Sequence, residues 1–173
     1  MDSSILSPIY NYDTYELEDK VLYLERIFKL LPNFPKEVII QWFYGHPQQA
    51  HEHAWLNYQN LKFELTTWKT EEVPICNYGN TDAVETYSYN YFKKGNMSNR
   101  REKLEQYFQA NGTWPIAPIF LKNEFGNLKY PHGFPCGKPF HLLDGHNRMA
   151  FFLEYKRLKK LSQAHFVYIA ERI

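Results

Sequence analysis

An apolar run, Phe140-His141-Leu142-Leu143, passes straight into Asp144-Gly145, and helix-forming residues begin at once with His146-Asn147-Arg148. No other segment restricts the fold as strongly. A strand that reverses into a helix within two residues needs a backbone conformation without a Cβ clash, which Gly145 supplies. The first N–H groups of the following helix have no intrahelical acceptor and point over the turn. They favour an anion there, and Arg148 can add a charge-assisted fork. Asp144 reads as a helix cap, a metal ligand or a proton acceptor, and His146 as an acid or base near neutral pH. The plainer reading is that Asp144 is a cap and Gly145 a turn residue. Five adjacent residues with a carboxylate, an imidazole, an amide and a guanidinium keep the functional reading level with it.

The other elements follow from periodicity. Residues 18–31 predict a helix with Val21, Leu24, Phe28 and Leu31 on one face and Ile27 beside them, ended by Pro32. Asn33-Phe34-Pro35 opens a second helix that runs through Val38, Ile39, Trp42 and Phe43 to Gly45, and a third starts at Pro47 and carries Ala50, Ala54 and Trp55. Residues 62–68 alternate as a strand, with Phe63 and Leu65 on one side. Between 73 and 97, Tyr87, Tyr89 and Tyr91 alternate as a half-buried strand would, with Gly79 and Gly95 in flanking loops. Ser98 caps a helix through Arg100, Leu104, Tyr107 and Phe108 to Gly112. Ile116–Leu121 is a short strand whose Pro118 argues for an edge or a bulge. Residues 123–127 have turn chemistry, and Ala164–Ile169 closes as a strand.

Composition excludes several classes. A chain of 173 residues is about one domain. Its 14 Tyr, 13 Phe and 4 Trp argue against disorder, and 8 Gly with 10 Pro exclude a collagenous chain. The aromatics spread evenly at helical or strand spacing, so they read chiefly as core. No apolar run reaches the roughly 20 residues that span a bilayer. The opening, MDSSILSPIYNYDTY, has no basic region or apolar core of a signal peptide. Cys76 and Cys136 stand alone and read as reduced thiols of a cytoplasmic protein, a single bridge between them being the alternative. Charge is uneven: residues 1–72 hold 11 acidic and 6 basic side chains, residues 73–173 hold 8 and 14. An anion therefore belongs with the second half, although this excess is too small to make it a nucleic-acid binder.

From Ser98 to Arg172 the order is helix, Pro-Ile-Ala-Pro-Ile-Phe-Leu strand, hairpin, strand, Asp-Gly-His-Asn-Arg, helix, strand. This resembles the ParB/sulfiredoxin superfamily. Ile116–Leu121 resembles the family's first sequence box, and Gly145–Arg148 resembles its second. That second box is Gly-Glu-Arg-Arg in ParB proteins, Gly-Cys-His-Arg in sulfiredoxins and, nearest to Asp144–Arg148, Asp-Gly-His-His-Arg in free-serine kinases. The resemblance implies an α+β fold, a mixed sheet with helices, in a single domain: a helical extension at 1–60 and the superfamily core at 61–173. It also implies a turn that cradles the phosphates of a nucleotide, with Arg148 on a phosphate.

The departures narrow this. His146 stands where sulfiredoxins have their nucleophilic cysteine, which excludes sulfinic-acid reduction at that position. Asn147 replaces the second ParB arginine, so the clamp has one charge fewer. The chain lacks ParB's helix-turn-helix and dimerisation regions, which argues against centromere binding. A kinase needs an acidic base from elsewhere, and Glu85 and Glu124 are candidates by position.

The expected function is therefore a nucleotide- or phosphate-binding domain. Its chemistry, where present, is phosphoryl transfer or nucleotide hydrolysis. Asp144 would orient Mg²⁺ or water, the Gly145–Asn147 backbone and Arg148 would hold phosphate, and His146 would act as acid/base or donor. Mg²⁺ accompanying the nucleotide is the implied cofactor, with no resident metal site and no membrane partner. The alternatives are a non-catalytic interaction domain whose helices at 18–58 meet a protein partner, and a DNA-binding or nuclease-like ParB domain. His46, His51 and His53 read as ordinary histidines before a zinc site, and Lys156, Arg157, Lys159 and Lys160 as a solvated helix end. His132 and His141 are placed to approach the Asp144 turn. His146-Asn147-Arg148 is not an HNH nuclease motif, which needs separated histidines.

Overall fold

Asp19 starts the first long helix, because its Oδ1 accepts from the backbone N–H of Val21 at 2.8 Å. The computed structural model describes residues 3–74 and 83–173. Contacts divide the chain into two compact units, Met1–Phe63 with Ala170–Ile173, and Glu64–Ile169.

The first unit opens with a 3-10 turn, Ser3–Leu6, and a short hairpin of β1 (Tyr10–Asn11) and β2 (Glu16–Leu17). Helix α1 (Lys20–Leu30) follows, then α2 (Lys36–Val38), which widens into a π-helical stretch, Ile39–Tyr44, and then α3 (Pro47–Glu52). The predicted face of α1 is rotated: Tyr23, Ile27 and Leu31 are buried, while Val21 is 62% exposed. Those three positions are four residues apart, and Tyr23 is drawn in by a 2.6 Å bond from its hydroxyl to the carbonyl of Leu6. Phe34, Trp42, Phe43 and Tyr58 form one aromatic core, with Phe34 stacked against Trp42 at 6.4 Å and tilted on Phe43 at 5.5 Å. Burial of each such ring contributes about 1.5–3 kcal/mol.

The second unit contains most of a mixed four-stranded sheet, in the order β3 (Leu61–Lys69), β6 (Ala164–Arg172), β4 (Ile119–Lys122), β5 (Phe140–Asp144). Its helices are α4 (Ala83–Phe92), α5 (Asn99–Asn111) and α6 (His146–Arg157). Alternation in β3 breaks after Phe63: Leu65 is exposed, and Thr66 and Trp68 turn partly inward. β4 begins after Pro118 and runs between β6 and β5, so the proline precedes an interior strand instead of sitting in an edge one, and the other alternative, an irregularity, falls next to it between Ile119 and Phe120. Its carbonyl still pairs, accepting from the N–H of Tyr168 at 2.9 Å.

The tyrosine alternation at 87–91 is helix, not strand. Val84, Ser88 and Tyr91 face inward at helical spacing, and Tyr87 stacks on Tyr91 at 5.9 Å with nearly parallel rings. Gly79 and Cys76 lie outside the described residues. Helix α6 is buried on nearly every side through Met149, Ala150, Phe151, Phe152, Leu153 and Tyr155, which makes it the centre of this unit's core. No helix of the described residues is long and apolar enough to cross a membrane.

Candidate functional site

β4 and β5 are antiparallel, and their register steps past Leu143, so that Asp144 comes to lie opposite Ile119. This irregularity at the strand end re-aims the last residue before the turn. Gly145 follows with φ 116° and ψ 17° and is the cap residue of α6. A Cβ there would lie 2.7 Å from Cβ of Pro118, so glycine is required both by conformation and by the proline packed against it.

The cap residue of α6 is Gly145, which has no side chain, and not Asp144. Its carboxylate instead accepts from Nη2 of Arg148, one helical turn on, and both side chains are largely buried. Arg148 also donates through Nη1 to the carbonyls of Ile116 at 2.9 Å and Ala117 at 3.3 Å. The arginine thus ties the strand end, the helix start and the segment before β4 together.

His146 and Asn147 are half-buried at the start of α6. The Tyr87 ring meets the His146 ring edge-on at 6.5 Å. The Tyr91 hydroxyl donates to Oδ1 of Asn147. Arg101, from α5, lies with its guanidinium 4.2 Å from the centre of the Tyr91 ring. Burial pushes the Tyr91 hydroxyl above the usual phenol range, and the Arg101 charge opposes that shift. Tyr91, Arg101 and Pro118 are thus members of this neighbourhood that sequence reasoning did not pick out. They come from three other segments, and no local spacing marks them.

The remaining candidates lie elsewhere. Glu85 is 3.9 Å from Arg157, at the far end of a helix about 18 Å long. Glu124 is 3.9 Å from Lys122, beyond the end of β4 that is distant from Asp144. His141 is buried with its Nδ1 accepting from the N–H of Gly137 at 3.0 Å, so Nε2 carries the proton toward the Tyr130 hydroxyl at 2.9 Å. His132 stacks on the same Tyr130 at 5.5 Å. These bonds and ring contacts engage both histidines with the segment before β5. His51 contacts Ser3 and Ser7, whereas His53 is buried against Gln49 and Trp42. Among the described residues, no group of three or more His, Cys, Asp or Glu side chains is arranged to hold a metal ion.

Compared with protein-family models, curated proteins and solved structures, the chain gives no match.

Proposed function

We propose that the Asp144–Arg148 turn binds a phosphate-bearing ligand, with a Mg²⁺-nucleotide as the ligand class. The observation that carries this reading is a helix N-terminus entered through a left-handed glycine, whose cap position offers no side chain, with a guanidinium one turn in. Resemblance to the ParB/sulfiredoxin superfamily, above all to its Asp-Gly-His-His-Arg members, supports the same ligand class. A Mg²⁺-nucleotide offers a cation for Asp144 and an anion for Arg148, so it can replace their mutual pairing on both sides. One carboxylate suffices when phosphate oxygens and waters complete the shell of Mg²⁺. His146 then donates to, or accepts a proton from, the bound group, and chemistry, where it occurs, is phosphoryl transfer or hydrolysis.

Isothermal titration with ATP, ADP and CTP in the presence of Mg²⁺ tests this. Binding that weakens on Arg148→Ala and on withdrawal of Mg²⁺ supports it. No heat with any of the three, and no difference for Arg148→Ala, would sink it.

A second reading has its own observation. Arg148 is bonded to Asp144 and to two carbonyls, which is what a purely structural bracket needs. On that reading Asp144→Asn and Arg148→Ala lower the melting temperature and leave every ligand response unchanged.

A further inference from the structure

The rings of the first unit range from fully buried to largely exposed. Trp42, Phe43, Phe34 and Tyr58 are buried, so the helices at 18–58 turn most of their aromatics inward. Tyr12 and Tyr15, at the tip of the β1–β2 hairpin, are 79% and 80% exposed. Val21 and Leu22, on the outward side of α1, and Ile9 and Leu17, at the hairpin base, are also exposed. About half of the large exposed apolar side chains among the described residues fall between positions 5 and 28. Isolated exposed apolar residues are ordinary, but a concentration of this kind marks an interaction surface.

The hairpin is held in shape. Oδ1 of Asn11 accepts from the N–H of Asp13 at 2.9 Å and of Thr14 at 3.3 Å, which folds the tip as an Asx turn. Tyr15 has φ 57°, a conformation that aromatic residues avoid and that persists only where the surroundings impose it. At the base, the N–H of Glu18 donates to the carbonyl of Ile9 at 2.7 Å, and Oε2 of Glu18 accepts from the N–H of Ile9 at 3.0 Å. Arg26 clamps that carboxylate through Nε at 3.0 Å and Nη2 at 2.6 Å.

Charge gives the surface a direction. Glu18 is neutralised by Arg26, but Asp13 and Glu16 add carboxylates beside the exposed rings, in a half of the chain with an acidic excess. Glu16 and Leu17 line a groove together with Asp19, Lys20 and Tyr44, and Lys20 leans over the Tyr44 ring at 5.6 Å. An acidic rim repels nucleic acid and anionic lipid. Tyrosine faces and carboxylates together suit guanidinium and ammonium groups.

We propose that the β1–β2 hairpin and the outward side of α1 dock a segment rich in lysine and arginine on a partner protein. Tyr12 and Tyr15 supply ring faces for its cationic heads, Asp13 and Glu16 pair with them, and Val21 and Leu22 cover its apolar side chains. This surface is independent of the Asp144 turn and stands or falls separately from it.

Fluorescence anisotropy with a labelled peptide of alternating Lys, Arg and Leu tests the proposal, against a peptide of equal length with Glu in place of the cations. The basic peptide binds in a salt-sensitive manner and the acidic one does not. Affinity falls about tenfold or more in Tyr12→Ser with Tyr15→Gly, and again in Asp13→Asn with Glu16→Gln. All four positions are exposed, and glycine suits the backbone at position 15, so the fold is retained. Absence of binding, equal binding of the acidic peptide, or unchanged affinity in both double variants would overturn it. So would self-association in sedimentation that the same variants abolish, because a second copy of the chain would then be the occupant.

Discussion

Tyr91 of α4 donates its hydroxyl proton to Oδ1 of Asn147 in the first turn of α6, and Arg101 of α5 covers the same ring. Three helices therefore meet at one phenol. The bond fixes which way the Asn147 amide points, with its oxygen toward Tyr91. Tyr91→Phe removes it while keeping the ring stack with Tyr87 and the guanidinium contact. We expect a loss of about 1 kcal/mol in urea unfolding. An unchanged midpoint and slope would show that this bond contributes nothing to stability.

Gly145→Ala is expected to cost more. Its φ of 116° disfavours any side chain, and the new Cβ would meet Pro118 at 2.7 Å. Strain of this kind is worth about 1–3 kcal/mol before any shift of Pro118 is counted. Paired with Pro118→Ala, the double variant should recover only the steric part, because the backbone conformation stays unfavourable. A single variant as stable as the parent would contradict the left-handed turn.

His165 makes stability depend on pH. It is buried, with Nδ1 2.8 Å from the Thr113 hydroxyl and Nε2 3.0 Å from that of Thr70. Thr70 donates its own proton to the carbonyl of Ser162 at 2.6 Å, so Nε2–H of His165 donates to Thr70, and Nδ1 accepts from Thr113. Burial lowers the His165 pKa from 6.5 to about 4. Between those values the unfolded chain binds more protons than the folded one, so stability is lost as pH falls from 6.5 toward 4. The loss is on the order of 3 kcal/mol at most and levels off below about pH 4. Unfolding free energies across this window should show the slope, and His165→Phe should flatten it. A slope that survives the substitution intact would belong to other groups.

Cys136 carries a free, buried thiol, and burial pushes its pKa up to about 11. The thiolate is the reactive form, so little of it exists at neutral pH. In a Cys76→Ser variant, where Cys136 is the only thiol, alkylation should be slow in the folded protein and fast in denaturant. Equal rates in both states would show that the site opens freely.

Much of the fold was legible from local pattern alone. The turn from Leu143 to Met149 was, because a glycine between an apolar strand and a helix has few conformations open to it. The helix ends at Pro47 and Gly112 were, because caps and breakers act within a few residues. What could not be read depended on distant partners. The inward face of α1 was set by the reach of Tyr23 to Leu6. The 87–91 segment looked like a strand because tyrosines at every second position mimic its period, and the inward set is Val84, Ser88 and Tyr91. Leu65 was expected beside Phe63, but the inward side of β3 changes between them. The site shows the same division: its five contiguous residues stood out, while the pairing of Asp144 with Arg148 was not among the roles read for that carboxylate, a cap, a metal ligand or a proton acceptor. Pro118, Tyr91 and Arg101 arrive by tertiary packing and left no mark in their own surroundings.

The π-helical stretch at Ile39–Tyr44 closes with the N–H of Gly45 on the carbonyl of Ile40 at 2.9 Å, a span of five residues instead of four. The wider loop of backbone accommodates one residue more per closure than an α-helix does. Ile39, Trp42 and Phe43 can then all be fully buried, although Trp42 and Phe43 are neighbours in sequence. Shortening this stretch by one residue would let it tighten into a regular helix. The ring positions after the deletion would be turned out of phase with the core they fill. The length of this segment, as much as its composition, is thus a constraint on which sequences can keep the first unit packed.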